Sequence, residues 1–231
     1  MDRTPGGLDL SDPPVRVLRQ GTPNKCDVRV HRIGDELLLV KDFGRKSRVY
    51  RSLLGVLTTW HEARVLRRLR GLPGVPQLRG RPSRCSVAMS YVPCRRARSR
   101  NPQIADRAAF AERLRDIVRK MHRRGVVHFD LKHRSNLMVT EEGRPFVIDF
   151  ESAFYFGRGL LGRLLVKFLG RVDWLAVSNW IRRICPEQLT PAERRLAAEA
   201  RRHRGFRAAA NLRDALARIF SGPNRPVADG P

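Results

Sequence analysis

The pattern of apolar and polar positions splits the chain into two unlike halves. Near the start, "VRVHRIGDELLLVKDF" (residues 28–43) reads as a hairpin: an alternating run, turn chemistry at "GDE", then the apolar run "LLLVK" of a buried strand. "SLLGVLTTWHEARVLRRLRG" predicts a helix with Leu57, Trp60, Leu66 and Leu69 near one face and Gly71 as its stop. "LPGVPQLRG" and "CSVAMSYV" predict two further strands.

The character changes after "CRRARSRNPQ" (residues 94–103), a basic run expected to be a mobile, solvated connector. In "ADRAAFAERLRDIVRKMHRRG", Phe110, Leu114, Ile117, Val118 and Met121 recur at core-facing helical spacing, and Gly125 supplies the stop. Two short strands, "NLMVT" and "RPFVIDF", are joined by the turn "EEG". "GLLGRLLVKFLGRVDWLAVSNWIRRI" (residues 159–184) reads as one long helix. Leu161, Leu164, Leu165, Phe168, Val172 and Leu175 occupy one face, with Arg163, Lys167 and Arg171 on the other. "TPAE" is a capping box of Thr190 and Glu193 with Pro191 in the first turn, and "NLRDALARIF" predicts a last helix.

The resulting expectation is an α+β fold. It has a loose lead-in (1–14), a small strand-rich lobe (15–93), a basic connector (94–104), a more helical lobe (105–220) and a Pro/Gly-containing tail (221–231).

Composition narrows the class. A hydrophobic fraction of 42% in 231 residues fits a folded protein. The opening "MDRTPGGLDLSDPP" has no apolar leader, and no run reaches the length of a membrane span, so a cytosolic protein is expected. Cys26, Cys85, Cys94 and Cys185 form no metal-binding spacing and read as reduced thiols. The net charge of +25 predicts attraction to polyanions such as nucleotides, nucleic acid, anionic lipid or phosphorylated sugars; an Arg-rich solvated surface explains it equally well.

The candidate chemistry sits in "VVHFDLKHRSNLMVTEEGRPFVIDFESAF" (residues 126–154), where Asp130 and Asp149 emerge at neighbouring ends of a small sheet. Phosphoryl transfer needs one carboxylate to orient the attacking hydroxyl. It needs another, with an amide, to hold Mg²⁺ against the phosphates.

The chain resembles the protein-kinase-like superfamily. "HFDLKHRSN" is similar to the catalytic loop, "VIDFE" to the metal-binding segment, "LLLVK" to the strand bearing the phosphate-holding lysine, and "WHEARVL" to the helix bearing its glutamate partner. The resemblance implies a two-lobed fold with ATP in the cleft. Lys41 would position the phosphates and Glu62 would hold Lys41. Asp130 would be the base or hydroxyl orienter, and Lys132 would neutralise charge on the transferring phosphate. Asp149 and Asn136 would bind Mg²⁺, and His128 would buttress the loop.

Some features depart from the family pattern. Asn136 lies six residues after Asp130 rather than five, and Glu151 stands where Gly is usual. There is no GxGxxG loop; "GTPNKCDV" occupies its place, with Lys25 or backbone amides covering the phosphates. Phe129 replaces the arginine of many regulated kinases, and only 82 residues follow Asp149. The likeness is therefore to minimal kinases: the RIO type and the Kdo/heptose kinases of lipopolysaccharide assembly.

The expected function is ATP- and Mg²⁺-dependent transfer to a hydroxyl, either of a protein Ser/Thr or of a lipid-linked sugar. The helix around Leu161–Ile181, with Trp174 and Trp180, either lies on an anionic membrane at its inner face or packs in the core. The alternative function is a nucleotide-binding pseudokinase. A nucleic-acid binder has no supporting motif.

Overall fold

A computed structural model describes residues 8, 10–21, 26–44, 55–98 and 101–202. The expected helix "NLRDALARIF", the tail and Lys25 lie outside these residues.

The front half is a five-stranded antiparallel sheet in the order β1-β2-β3-β5-β4. Its strands are β1 (Arg16–Arg19), β2 (Asp27–Ile33), β3 (Glu36–Asp42), β4 (Leu78–Gly80) and β5 (Ser86–Ser90). The expected hairpin forms: Ile33 pairs with Glu36, leaving Gly34 and Asp35 as a two-residue turn in which Gly34 takes φ 58°. β1 was not anticipated. All four of its residues are exposed, so the apolar alternation that reveals a half-buried strand is missing there.

Helix α1 (Val56–Arg68) packs on β5 and β4. Its buried face is Thr59, Glu62, Ala63, Val65 and Leu66, followed by Leu69. Leu57 and Trp60, expected on that face, are exposed. The face is rotated because a carboxylate, Glu62, sits in its middle, and charge is not read as burial in an apolar pattern.

In the second half, α2 (Arg107–Arg123) buries Phe110, Leu114, Ile117, Val118 and Met121, as expected. Asp106 caps it by accepting from the Ala109 N–H at 2.8 Å. Gly125 follows at φ 79°, where a Cβ would also collide with the Gly157 carbonyl. The residues 94–96 expected in a loose connector instead form β6 (Cys94–Arg96), an edge strand beside β8 (Leu137–Thr140), which pairs with β9 (Pro145–Val147). A further pair, β7 (Val126–Val127) with β10 (Phe154–Tyr155), brackets the loop and hairpin between them.

The single long helix expected over 159–184 is two, α3 (Leu160–Leu169) and α4 (Arg171–Ile184). The break falls at Gly170, where a Cβ would overlap the His122 ring of α2. The halves behave oppositely. α4 buries Ala176, Val177, Trp180 and Ile181 in the main core, whereas α3 exposes Leu161, Leu164, Leu165 and Phe168. Trp180 is buried and so is not a surface anchor, whereas Trp174 is half-buried and packs edge-on against His122. The capping box at Thr190 and Glu193 is present at the start of α5 (Pro191–Arg202), and Glu193 also binds Arg115 of α2 at 2.8 Å.

One core cluster runs through both halves, from Leu66 and Met89 in front to Leu114, Phe150 and Trp180 behind. That shared core fixes β3 relative to the loops that follow α2.

Candidate active site

Lys41 is the sixth residue of β3, paired with Val28 on β2 and Val87 on β5. Its ammonium has three N–H donors, and each meets a different carboxylate at 2.9 Å: Glu62 of α1, and Asp149 and Glu151 just after β9. The contact to Asp149 spans 108 residues of sequence. Glu62 Oε1 also accepts from the Phe150 N–H at 3.3 Å, so one carboxylate ties β3, α1 and the Asp149 segment together.

The electrostatics follow from burial and from three acids facing one base. Burial alone would lower the Lys41 pKa, but Asp149, Glu151 and Glu62 hold it well above its ordinary value. Burial dominates at Glu62 and pushes its carboxyl up to about 7, against the opposing pull of Lys41. For Asp149, burial is outweighed by Lys41, and its pKa falls below the usual carboxylate value; His128 and Arg19 of β1 pull the same way. Arg19 also donates to the Cys26 sulfur at 3.0 Å, beside a thiol that burial pushes up to about 11.

The second part of the site is the loop of residues 128–136. Phe129 has φ 63° and Asp149 has φ 68°. A left-handed aspartate is tolerated, but a left-handed phenylalanine costs on the order of 1–3 kcal/mol and must be held by its surroundings. Asp173 of α4, fully buried, does this. Its two oxygens accept from the backbone N–H groups of His128 at 2.8 Å and Phe129 at 2.9 Å, and one of them also meets His122 at 3.0 Å. Trp180 adds a third tie, its indole N–H donating to the Leu131 carbonyl at 2.8 Å.

Within the loop, the Asn136 amide nitrogen donates to the Asp130 carbonyl and to Asp130 Oδ2, both at 3.0 Å, while its oxygen accepts from Ser135. The Ile148 N–H donates to the Asn136 carbonyl at 3.0 Å, and the Ile148 carbonyl meets His128 Nε2 at 3.1 Å. The loop is thus fastened to the residue immediately before Asp149. Among the described residues the other ring nitrogen of His128 is buried without a hydrogen-bond partner. Lys132 is exposed.

Lys41, Glu62 and Asp149 therefore meet, and Asp130 meets Asn136. Sequence reasoning missed Glu151, Asp173, Trp180 and Arg19 as members. An acid inside the apolar run "VDWLAVSNW" was the available signal for Asp173. Among the described residues no cluster of three or more His, Cys, Asp or Glu side chains is placed to hold a metal ion. The Asp149 and Glu151 carboxylates, partly open to solvent, and the Asn136 side-chain oxygen are nevertheless hard donors of the kind Mg²⁺ takes one or two of.

A family model described as "Phosphotransferase enzyme family" matches residues 25–155, more than half of the chain. The chain belongs to the phosphotransferase enzyme family. No curated protein matches this phosphotransferase-family chain significantly. Among solved structures, it is similar to the Rio2 kinase–ADP/Mg²⁺–phosphoaspartate complex from Chaetomium thermophilum. The TM-score is 0.54 at 17% identity, over 90% of this chain and 71% of that one. The Rio2 kinase structure from the same organism also scores 0.54, at 18% identity, over 89% and 73% of the two chains. The fold is the two-lobed protein-kinase-like α+β fold, and this family member is a kinase-like phosphotransferase.

Proposed function

We propose that the protein transfers the γ-phosphoryl group of ATP, bound with Mg²⁺, to a hydroxyl acceptor. The observation that carries this reading is the 2.9 Å contact between Lys41 Nζ and Asp149 Oδ1, backed by Glu62 and joined through Ile148 to the Asp130–Asn136 pair. The similarity to a kinase captured with ADP and Mg²⁺ supports the same nucleotide and ion here.

Lys41 holds α- and β-phosphate oxygens while Glu62 keeps it aimed. Asp149 and Asn136, with Glu151 as an added carboxylate, are the residues that would hold Mg²⁺, which supplies charge neutralisation on the phosphates. Asp130, steadied by Asn136, orients the acceptor hydroxyl and accepts its proton. The acceptor oxygen bonds to the γ-phosphorus, the bond to the β–γ bridging oxygen breaks, and ADP departs with that electron pair. Lys132, exposed beside Asp130, neutralises charge on the phosphoryl in transit. The described residues within 15–93 act as one lobe and those within 105–202 as the other.

The acceptor is a protein Ser/Thr or a lipid-linked sugar, and the high positive charge fits work beside an anionic surface. A second reading, a nucleotide-binding module without turnover, is favoured by one contact: Glu151 occupies the third donor of Lys41.

The deciding experiment supplies γ-labelled ATP and Mg²⁺ beside soluble and membrane fractions. Label on protein or glycolipid with the wild type, absent with Asp149→Asn or Asp130→Asn, supports transfer. Nucleotide binding with no labelled product supports the binding module. Equal labelling by both variants contradicts the site.

A further inference from the structure

Among the described residues, helix α3 carries an unpartnered apolar stripe beside a basic cleft. Leu160, Leu161, Leu164 and Phe168 are 78%, 72%, 56% and 63% exposed, and Leu165 extends the stripe; only Gly162, Val166 and Leu169 face the protein. A helix of ten residues is about 15 Å long, so the stripe is compact and continuous.

Arg163 and Lys167 flank the stripe and form one wall of a cleft of about 550 Å³, completed by Arg119, Arg123, Arg158 and the Trp174 ring. Among the described residues no carboxylate lines this cleft. Arg119 is tied to Glu112 and Asp116; among the described residues the other cationic side chains named here meet no acid.

We propose that α3 and this cleft dock on an anionic phospholipid membrane, the apolar stripe entering the headgroup–acyl boundary and the cleft taking lipid phosphates. Both halves of the pattern are needed to choose the occupant. Nucleic acid would satisfy the cleft but leave five large apolar side chains against phosphate and water. A second copy would cover the stripe but bring two basic clefts, on chains of net charge +25, against each other. An anionic lipid surface satisfies both. Among the described residues no helix is long and apolar enough to cross a membrane, so the contact is a helix lying in the interface.

The test is co-sedimentation of the full chain with phosphatidylcholine vesicles and with an equal mixture of phosphatidylcholine and phosphatidylglycerol, without nucleotide. Binding should require the anionic lipid. It should fall about tenfold or more in a Leu161→Glu, Phe168→Glu variant. Neutralising two charges with Arg163→Gln and Lys167→Gln should weaken it about 30-fold. These side chains are exposed, so both variants should keep the wild-type melting curve and Mg·ATP affinity. Because no nucleotide is present, this outcome is independent of whether phosphoryl transfer occurs.

Three results overturn the proposal. One is vesicle binding that salt abolishes but the Leu161→Glu, Phe168→Glu variant leaves unchanged, which is attraction by net charge alone. Another is a wild-type dimer that this variant converts to monomer. The last is a monomer that ignores anionic vesicles, its stripe covered by another part of the chain.

Discussion

The two parts of the candidate active site are held in opposite ways. Around Lys41, side chains hold side chains: three carboxylates share one ammonium, and the cluster carries more negative than positive charge. In the loop of residues 128–136, buried groups hold the backbone, with Asp173 gripping two consecutive N–H groups and Trp180 gripping a carbonyl. On the proposed function, the charged part would exchange partners when a phosphate and a cation arrive. The loop cannot let go without leaving buried polar groups unsatisfied. One part should therefore answer to ligands and pH, and the other to global stability.

The largest expected effect is on the charged side. Asp149→Asn removes the carboxylate that pairs with Lys41 and that would hold Mg²⁺; the lost charge stabilisation of several kcal/mol should lower turnover about a thousandfold or more. On the loop side, Asp130→Asn should lower turnover about a hundredfold or more while Mg·ATP affinity stays within about threefold. A matching fall in affinity would mean that Asp130 belongs to the nucleotide-holding part. Both effects are read from initial rates beside a nucleotide titration.

Asp173→Ala sharpens the contrast. It strips two buried N–H groups of their acceptor and should destabilise the fold by about 3 kcal/mol in urea denaturation. An unchanged midpoint would mean the loop is held by packing alone.

The smallest effect concerns Glu62. Its folded pKa of about 7 lies above the ordinary 4.5, so its contribution to stability is present below pH 4.5 and lost as pH rises through 7. A glutamine does not titrate. Stability of Glu62→Gln relative to wild type should therefore rise between pH 5 and pH 8, by at most about 3 kcal/mol. A fall over that window would place the Glu62 pKa on the other side of its ordinary value.

In both parts the sequence revealed some members and hid others. Lys41, Glu62, Asp130, Asn136 and Asp149 were legible because each lies in a short pattern with local context: a strand end, a helix face, a loop or a strand exit. The periodicity of α2 was legible for the same reason, since Phe110, Leu114, Ile117, Val118 and Met121 all turn inward. What the sequence hid was long-range. Asp173 acts 45 residues from His128, and its place in an apolar run resembled one more polar position on a surface helix. Glu151 registered as a missing glycine, because nothing local says that its carboxylate turns back to Lys41. The break at Gly170 depends on a ring from another helix, so periodicity ran straight through it and assigned one face to two helices with different surroundings.

Whether Asp149 brings Mg²⁺ and nucleotide together is decided by calorimetric titration of ADP with Mg²⁺ and with a chelator, into wild type, Asp149→Asn and Asp173→Asn. Mg²⁺-dependent binding should appear in the wild type, persist in folded Asp173→Asn, and vanish in Asp149→Asn. Nucleotide affinity that is equal with and without Mg²⁺, and equal in wild type and Asp149→Asn, would contradict that role of Asp149.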